Sequence, residues 1–257
     1  EHVMGMVLFE RDTRGYRATQ DAKRLIPHAE SIEAAAEGIT GAAEKSRRAN
    51  ARPIRLTAPA VNFSDNLSQA LADFTADNPG VRFEMVASYK VLDLAAGEAD
   101  VAIRIARKIE DERLICRKLT TATSSLYASR SYVARHGLPT CPEEFAGHFF
   151  IGYDNPPAAW VILPWMLARS DPGQIVSSCA DIESMNSAVR AGLGIGSIAT
   201  PIGEEDDTLV RCFPPPDLDY PTAWLVISPE AWRRPEVKAF AAFFAPRFRP
   251  YIKHGHR

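Results

Sequence analysis

Cysteine is scarce and scattered: Cys116, Cys141, Cys179 and Cys212 form no C-x-x-C pair and have no histidine at metal-ligand spacing. That excludes a disulfide scaffold and a thiolate zinc site. The expectation is reduced thiols with packing roles, with a redox-sensing cysteine as the alternative. Long apolar runs are missing too. The longest, residues 158–168, is broken by Pro164 and falls far short of the roughly 20 residues that span a bilayer. No basic start with an apolar segment behind it marks a secretion signal. A cytoplasmic protein with no membrane partner is therefore expected. Neither sign of charge is in excess: 30 Lys and Arg against 32 Asp and Glu give a net charge of −2. Any contact with nucleic acid must come from a local patch rather than a global basic field.

Catalytic signatures are also absent. There is no G-x-S-x-G elbow and no H-E-x-x-H pair, and His2, His28, His136, His148, His254 and His256 are scattered. The acidic run 204–207 reads as a solvated loop rather than a buried acid/base pair. An enzyme is not expected, and neither a cofactor nor a metal is implied. Gly194-Ile195-Gly196-Ser197-Ile198-Ala199 fits G-x-G-x-x-A. It follows a predicted helix and opens a predicted strand, the reverse of a dinucleotide loop. These glycines are expected to form a helix C-cap and a tight turn.

What is present is organised. Hydrophobic residues make up 46% of 257, enough for two or three compact units. Glu1 is not a start residue, and the chain is expected to open inside a structural element. After Thr19, a good N-cap, Leu25, Ala29, Ile32, Ala36, Ile39 and Ala43 recur at alternating steps of four and three. That is a heptad seam, too narrow to face a globular core, and it predicts a dimerising helix. An amphipathic helix packed on its own domain is the blander reading. Pro27 should bend the helix or mark its first turn. Residues 45–53 read as a linker.

From Ile54 the pattern becomes β-α-β-α-β: strands at 54–60, 81–88 and 100–105, with helices at 62–77 and 90–96. Right-handed crossovers would give a parallel sheet with helices on both faces. A second unit begins near Thr121, with a strand at 124–128 and a helix at 131–136. Residues 160–167 and 174–179 flank Ser170-Asp171-Pro172-Gly173 like a hairpin. A helix at 181–193 and a strand at 194–199 follow. A last strand, 222–228, and a helix from Pro235 return to the first unit. A chain that crosses to a second lobe and comes back makes two lobes joined by two segments, with a ligand cleft between them.

Glu1-x-x-Met4-Gly5-x-x-Leu8-Phe9-x-Arg11-x-x-Arg14-Gly15-x-x-x-Thr19 is similar to the end of the LysR-type winged helix-turn-helix, departing from it at Met4 and Ala18. Gly97-Glu98-Ala99-Asp100-Val101-Ala102-Ile103-Arg104, Leu126-Tyr127-Ala128-Ser129 with Tyr132, His136-Gly137-x-Pro139 and Ala191-Gly192-Leu193-Gly194-Ile195-Gly196 resemble later pieces of that family, in order and spacing along the whole chain. The resemblance implies an α/β transcriptional regulator with a two-lobed, periplasmic-binding-protein-like effector domain. Its partners would be a small-molecule effector, promoter DNA in the full-length protein, and itself, as a homodimer paired into a homotetramer. Residues 1–18 would be a wing remnant, 19–52 a linker and dimerisation helix with a hinge, 53–120 with 222–257 one lobe, and 121–221 the other. The recognition helix would lie before Glu1. Without it, specific operator binding is not expected of these residues.

The resemblance places Arg11 and Arg14 in the wing as DNA contacts. Arg17 is either a third contact or solvated charge. In the cleft, Asn62, Phe63 and Ser64 stand at a helix start, where free N–H groups favour an acceptor; capping alone is the other reading. Ser88 and Tyr89, then Ile103, Arg104 and Ile105, end strands at the same edge. Arg104 either clamps a carboxylate or pairs with a nearby acid. Topology adds Tyr153, Asp154, Asn155, Asp181, Ile182, Thr200 and Pro201 from the second lobe. These residues point to a small polar effector, acidic if Arg104 is the clamp. A stand-alone solute-binding module is the alternative function.

Overall fold

The computed structural model describes residues 4–12, 15–49, 52–63, 65–154, 156 and 160–248. The chain divides into two compact units, Glu1–Arg52 and Pro53–Arg257.

In the first unit, β1 (Phe9–Asp12) and β2 (Gly15–Ala18) form an antiparallel ladder. Thr19 ends it and starts α1 (Gln20–Ala49): its hydroxyl accepts from Ala22 N at 3.2 Å and donates to Val7 O at 2.9 Å. That is the expected N-cap. The helix runs through Pro27 and on past residue 45, where a linker was predicted. No glycine or proline lies between Glu44 and Arg52 to stop it. Along the seam, Ile32 and Ile39 are 72% and 71% exposed, Ala29 and Ala36 are exposed, and Leu25 is half-buried. The Ala43 side chain lies outside the described residues.

The second unit opens with β3 (Ile54–Ala58), α2 (Asp65–Asp77), β4 (Phe83–Ala87), β5 (Val101–Ala106) and β6 (Ile115–Thr121). The chain then leaves this sheet for β7 (Ser124–Ser129), α3 (Arg130–His136), β8 (Phe150–Tyr153), α4 (Ile162–Leu167) and β9 (Ile175–Cys179). Next come α5 (Ile182–Arg190), β10 (Gly196–Ala199), α6 (Thr200–Glu205) and β11 (Leu209–Arg211). It returns through β12 (Thr222–Ile227) and α7 (Pro235–Arg247). The first sheet has the order β4-β3-β5-β12-β6. β3 pairs in parallel with β4 and β5, whereas β12 is antiparallel to both β5 and β6. The sheet is mixed, not wholly parallel as expected, because the strand that closes it arrives from the far lobe.

Alternation along these strands builds the core. Ile54, Leu56, Val101, Ile103, Leu225 and Ile227 face α2 and α7, where Phe74 and Phe240 meet edge-on with ring centroids 5.4 Å apart. The other face carries Ala102 and Val226 under Leu94 and Ala99. No helix covers it: residues 90–96, expected to be helical, form a loop with a single turn. Side chains take the backbone groups a helix would have used. Asp93 accepts from Ala96 N at 3.0 Å, Glu98 accepts from Asp93 N at 2.7 Å, and Arg104 Nη2 donates to Leu92 O at 2.5 Å.

In the second lobe, β10-β7-β11 form one sheet and β8-β9 another, with a parallel bridge between Phe150 and Ile195. The expected hairpin over 160–179 is a helix, a 3-10 turn and a strand parallel to β8. Ile162, Leu163 and Met166 are buried at helical spacing. Asp171 and Gln174 make a reciprocal capping box, which uses Pro172-Gly173 as the start of a 3-10 turn. The left-handed position after α5 is taken by Gly192, with a φ of 78°, and not by the predicted turn glycines Gly194 and Gly196. Gly196 is required for closeness instead: a Cβ there would lie 2.5 Å from Val189 Cγ2.

Two buried polar groups tie the unit together. Asp100 Oδ2 accepts from Arg55 N at 2.9 Å and Arg234 Nη1 at 3.0 Å, joining the starts of β3, β5 and α7. Without Asp100, Arg55 N loses its acceptor while Arg234 keeps Glu236 at 2.8 Å. Asp100→Ala should cost roughly 1–3 kcal/mol, read as a lower urea midpoint; a change within error would refute the assignment. In the second lobe, Phe149 N donates to Tyr132 Oη at 2.9 Å, and Tyr132 Oη lies 3.2 Å from His148 Nδ1. Burial, reinforced by nearby His136, holds the His148 pKa below the usual imidazole range, against the pull of Glu144. His148 is therefore neutral when folded. Its stabilisation is complete above the unfolded value of about 6.5 and is lost as pH falls through the lower folded value. Urea midpoints of the native chain should drop on acidification through that window, and those of His148→Gln should drop less. Equal falls would remove His148 as the cause.

Candidate functional site

The two lobes are joined where the chain crosses twice. Ala122 N, leaving the first sheet, donates to Pro221 O of the returning segment at 2.8 Å. Thr200 N donates to Thr123 O at 3.0 Å, and Tyr220 Oη donates to Ser124 O at 3.1 Å. The ends of β3, β4 and β5 converge beside this junction because parallel strands deliver their carboxyl ends to one edge.

A cavity of about 400 Å³ opens there between the lobes. The first lobe contributes Asn62, Ser88, Ile103 and Arg104, and the second contributes Tyr153 and Ile182. A recess of about 140 Å³ shares Asn62 and Ile103 with it and adds Pro201; another of about 100 Å³ shares Asn62 and Ile182. Asn62 thus borders all three. It closes a 3-10 turn, Ala60–Asn62, whose backbone bond from Asn62 N to Pro59 O is 2.9 Å. Trp160 packs tilted against Tyr153, ring centroids 4.6 Å apart, and forms part of the wall.

Other predicted site residues lie elsewhere. Phe63 packs against the core of the first sheet. Asp154 accepts from Ser178 Oγ at 2.5 Å, and Asp181 caps α5 through Ser184 N and Oγ, both at 2.7 Å. Thr200 starts α6, with its hydroxyl buried and unpartnered. None of these four borders the cavities described. Ser64, Asn155 and the wing residue Arg14 lie outside the described residues. Arg11 and Arg17 are exposed on the hairpin, opposite Tyr16 and Glu10 respectively.

Arg104 borders the cavity and spends one of its donors on a backbone carbonyl. It sits on the face of β5 opposite Ile103, and its guanidinium holds the Leu92 carbonyl. Burial pushes its pKa down, partly offset by Cys116, Asp93 and Asp111. The carboxylates near it are also occupied. Arg113 hydrogen bonds hold Asp111 below the usual carboxylate range, and Glu110 pairs with Lys108 at 3.1 Å.

Two hydrogen bonds bridge the cleft. Tyr89 Oη donates to Glu183, and Asn66 Nδ2 donates to Glu205 Oε1 at 2.6 Å. Burial, then the bond to Glu183, drives the Tyr89 phenol pKa upward, so it remains a donor. The sequence argument placed Ile105 at the cleft edge, where it borders the cavities, but missed Val61, Trp160, Asn66 and Glu205. Only Trp160 carried a signal, as a large aromatic just after the Tyr153 strand end.

Among the described residues, no cluster of three or more His, Cys, Asp and Glu could hold a metal. Nor is any helix there long and apolar enough to cross a membrane.

Residues 47–249 match the family described as LysR substrate binding domain. An HTH-type transcriptional regulator of Xanthomonas campestris pv. campestris is 26% identical over 198 residues, covering 75% of this chain and 57% of the relative. The HTH-type transcriptional regulator CrgA of Neisseria meningitidis serogroup C is 26% identical over 213 residues, covering 80% and 69%. The crystal structure of the CrgA regulatory domain superposes with a TM-score of 0.63 at 22% identity, covering 77% of this chain and 98% of that domain. The chain thus spans little more than half of the Xanthomonas regulator, and it shares its two-lobed fold with the CrgA regulatory domain. By the match across most of its length, the chain belongs to the LysR family, through that family's substrate-binding domain.

Proposed function

We propose that this chain is the effector-sensing part of a LysR-type DNA-binding transcriptional regulator, acting as a dimer that pairs into a tetramer in the cytoplasm. The observation that carries the reading is the interlobe cavity centred on Asn62, at the junction of the two crossing segments. An effector there contacts both lobes, so its affinity depends on their closure. In this reading the lobes are 53–120 with 222–257, and 121–221. Asn62, Ser88, Ile103, Tyr153, Ile182 and Pro201 touch the effector. Phe63, Asp154, Asp181 and Thr200 hold the elements that present them, and Arg104, on the cavity wall, holds the Leu92 carbonyl. Ile103, Ile105, Trp160 and Ile182 give the cavity apolar walls, which favours an effector with an apolar body and a few polar groups. No catalytic step is assigned.

Residues 19–52 supply the dimer arm, with its seam from Leu25 to Ala43. The exposure of Ile32 and Ile39 supports this, since isolated chains rarely leave such a row uncovered. Arg11, Arg14 and Arg17 of the wing meet promoter DNA in the full-length protein.

Thermal-shift screening of metabolites against the chain tests the cavity. At a hundredfold excess over its dissociation constant, an effector should add about 2.7 kcal/mol of stability. Asn62→Ala and Trp160→Ala should each weaken binding, and scattering should record a change of shape at saturation. Unchanged shape, or unchanged affinity in both variants, would sink the mechanism. The arm is tested separately by light scattering. The native chain should be at least dimeric at micromolar concentration, and Ile32→Asp with Ile39→Asp should make it monomeric. A native monomer would favour a stand-alone solute-binding module.

A further inference from the structure

The cleft carries more positive charge than the protein itself uses. Five charged residues line the cavity of about 400 Å³: Lys90, Arg104, Lys108, Glu110 and Asp111. Lys108 pairs with Glu110 at 3.1 Å, and Arg113 holds Asp111 at 2.8 Å. Asp93, which acts on Arg104 from outside the lining, accepts from Ala96 N at 3.0 Å. Two cations are left. Lys90 is exposed, and its ammonium has no ion-pair partner among the described residues. Arg104 is half-buried and donates to Leu92 O through Nη2; its Nε and Nη1 have no hydrogen-bond partner among the described residues. A guanidinium with unspent N–H groups in a cleft is a fork shaped for a carboxylate.

The adjoining recess of about 140 Å³ has the opposite character. Leu67, Pro201, Ala223, Phe244 and Phe248 form its walls, and it meets the larger cavity along Val61, Asn62, Ile103 and Ile105. No Lys or Arg lines it, and its one charged residue, Glu205, accepts from Asn66. An apolar cavity of roughly 150 Å³ holds a benzene-sized molecule. An anionic group is therefore repelled from the recess and drawn to Arg104, while an apolar group is drawn the other way. Resting on the reading of this cleft as the effector site, we propose that its ligand is an amphipathic monocarboxylate. The carboxylate sits on Arg104 and Lys90. An apolar tail of about six carbons, the size the recess admits, passes Ile103 and Ile105 to reach Phe244. Charge, length and direction of the effector are thereby fixed together.

Calorimetric titration of the whole chain with octanoate, at constant ionic strength and below its micelle concentration, tests the assignment. One saturable site per chain is expected. Affinity should rise about fourfold per methylene from butyrate to octanoate. 1-Octanol should bind at least about tenfold more weakly, the scale of a charge-assisted hydrogen bond. Arg104→Met should weaken octanoate by the same factor and leave 1-octanol unchanged. Should that variant fail to fold by circular dichroism, Lys90→Met, at an exposed position, carries the head-group test with a loss of about threefold. Ala199→Phe, which fills the recess from an exposed position on its rim, should weaken octanoate and leave butyrate unchanged. No saturable octanoate binding, equally tight 1-octanol, or octanoate affinity unchanged in both Lys90→Met and Ala199→Phe would overturn the proposal. If other metabolites bind in a Trp160-dependent way and octanoate does not, the proposal falls and the effector-sensing reading stands. Octanoate binding indifferent to both Asn62→Ala and Trp160→Ala would remove the cleft from both.

Discussion

β12 enters a sheet otherwise built from the first half of the unit, and it enters between β5 and β6 rather than at an edge. To reach that slot, the chain must come back from the second lobe beside the segment by which it left. The bond between Ala122 N and Pro221 O marks that meeting. Two antiparallel crossings side by side make a narrow junction, and the lobes beyond it face each other across a gap. The position of the cleft, the convergence of Asn62, Ser88 and Ile103 on it, and the cross-cleft bonds of Tyr89 and Asn66 all follow from where this one strand inserts. Buried Leu225 and Ile227 on one face and Val226 on the other hold it there.

Much of this was legible from side-chain period. Strands β5 and β12 carry consecutive apolar residues buried on both faces, and α2 and α7 show apolar faces, so their existence and order could be read directly. Reading failed where polar side chains took over backbone hydrogen bonds. The 90–96 segment has helical spacing, but its own Asp93, with Glu98 and Arg104 from beyond it, claims its N–H and C=O groups. The Asp171-Pro172-Gly173 signal was a genuine turn, assigned to the wrong structure. A capping box and a hairpin begin with the same residues, and the buried trio Ile162, Leu163 and Met166 decides between them.

The site divides along the same line. Positions that topology alone sends to the edge, such as Asn62, Ile103 and Ile182, border the cavity. Residues chosen for their chemistry fared less well. Arg104 looked like a carboxylate clamp; it does border the cavity, yet it spends one donor on a neighbouring carbonyl. Asp181 looked like a ligand contact and caps its own helix. Asn66 and Glu205 lie 139 positions apart, and no local pattern reveals that they meet.

The energetics of the cleft set how such a fold can respond. Its two bridging bonds are exposed and each involves a carboxylate, so each is worth on the order of 1 kcal/mol net. Together they are comparable to the 1–3 kcal/mol by which one site typically biases another. Stronger clasps would lock the lobes against any ligand of ordinary affinity, and an absence of clasps would leave nothing for a ligand to tip. Glu183 concentrates this balance in one side chain. One oxygen holds Tyr89 across the cleft and the other is buried without a partner, so the clasp rests on a carboxylate that is only half satisfied. Whatever satisfies the second oxygen also changes what the first can offer.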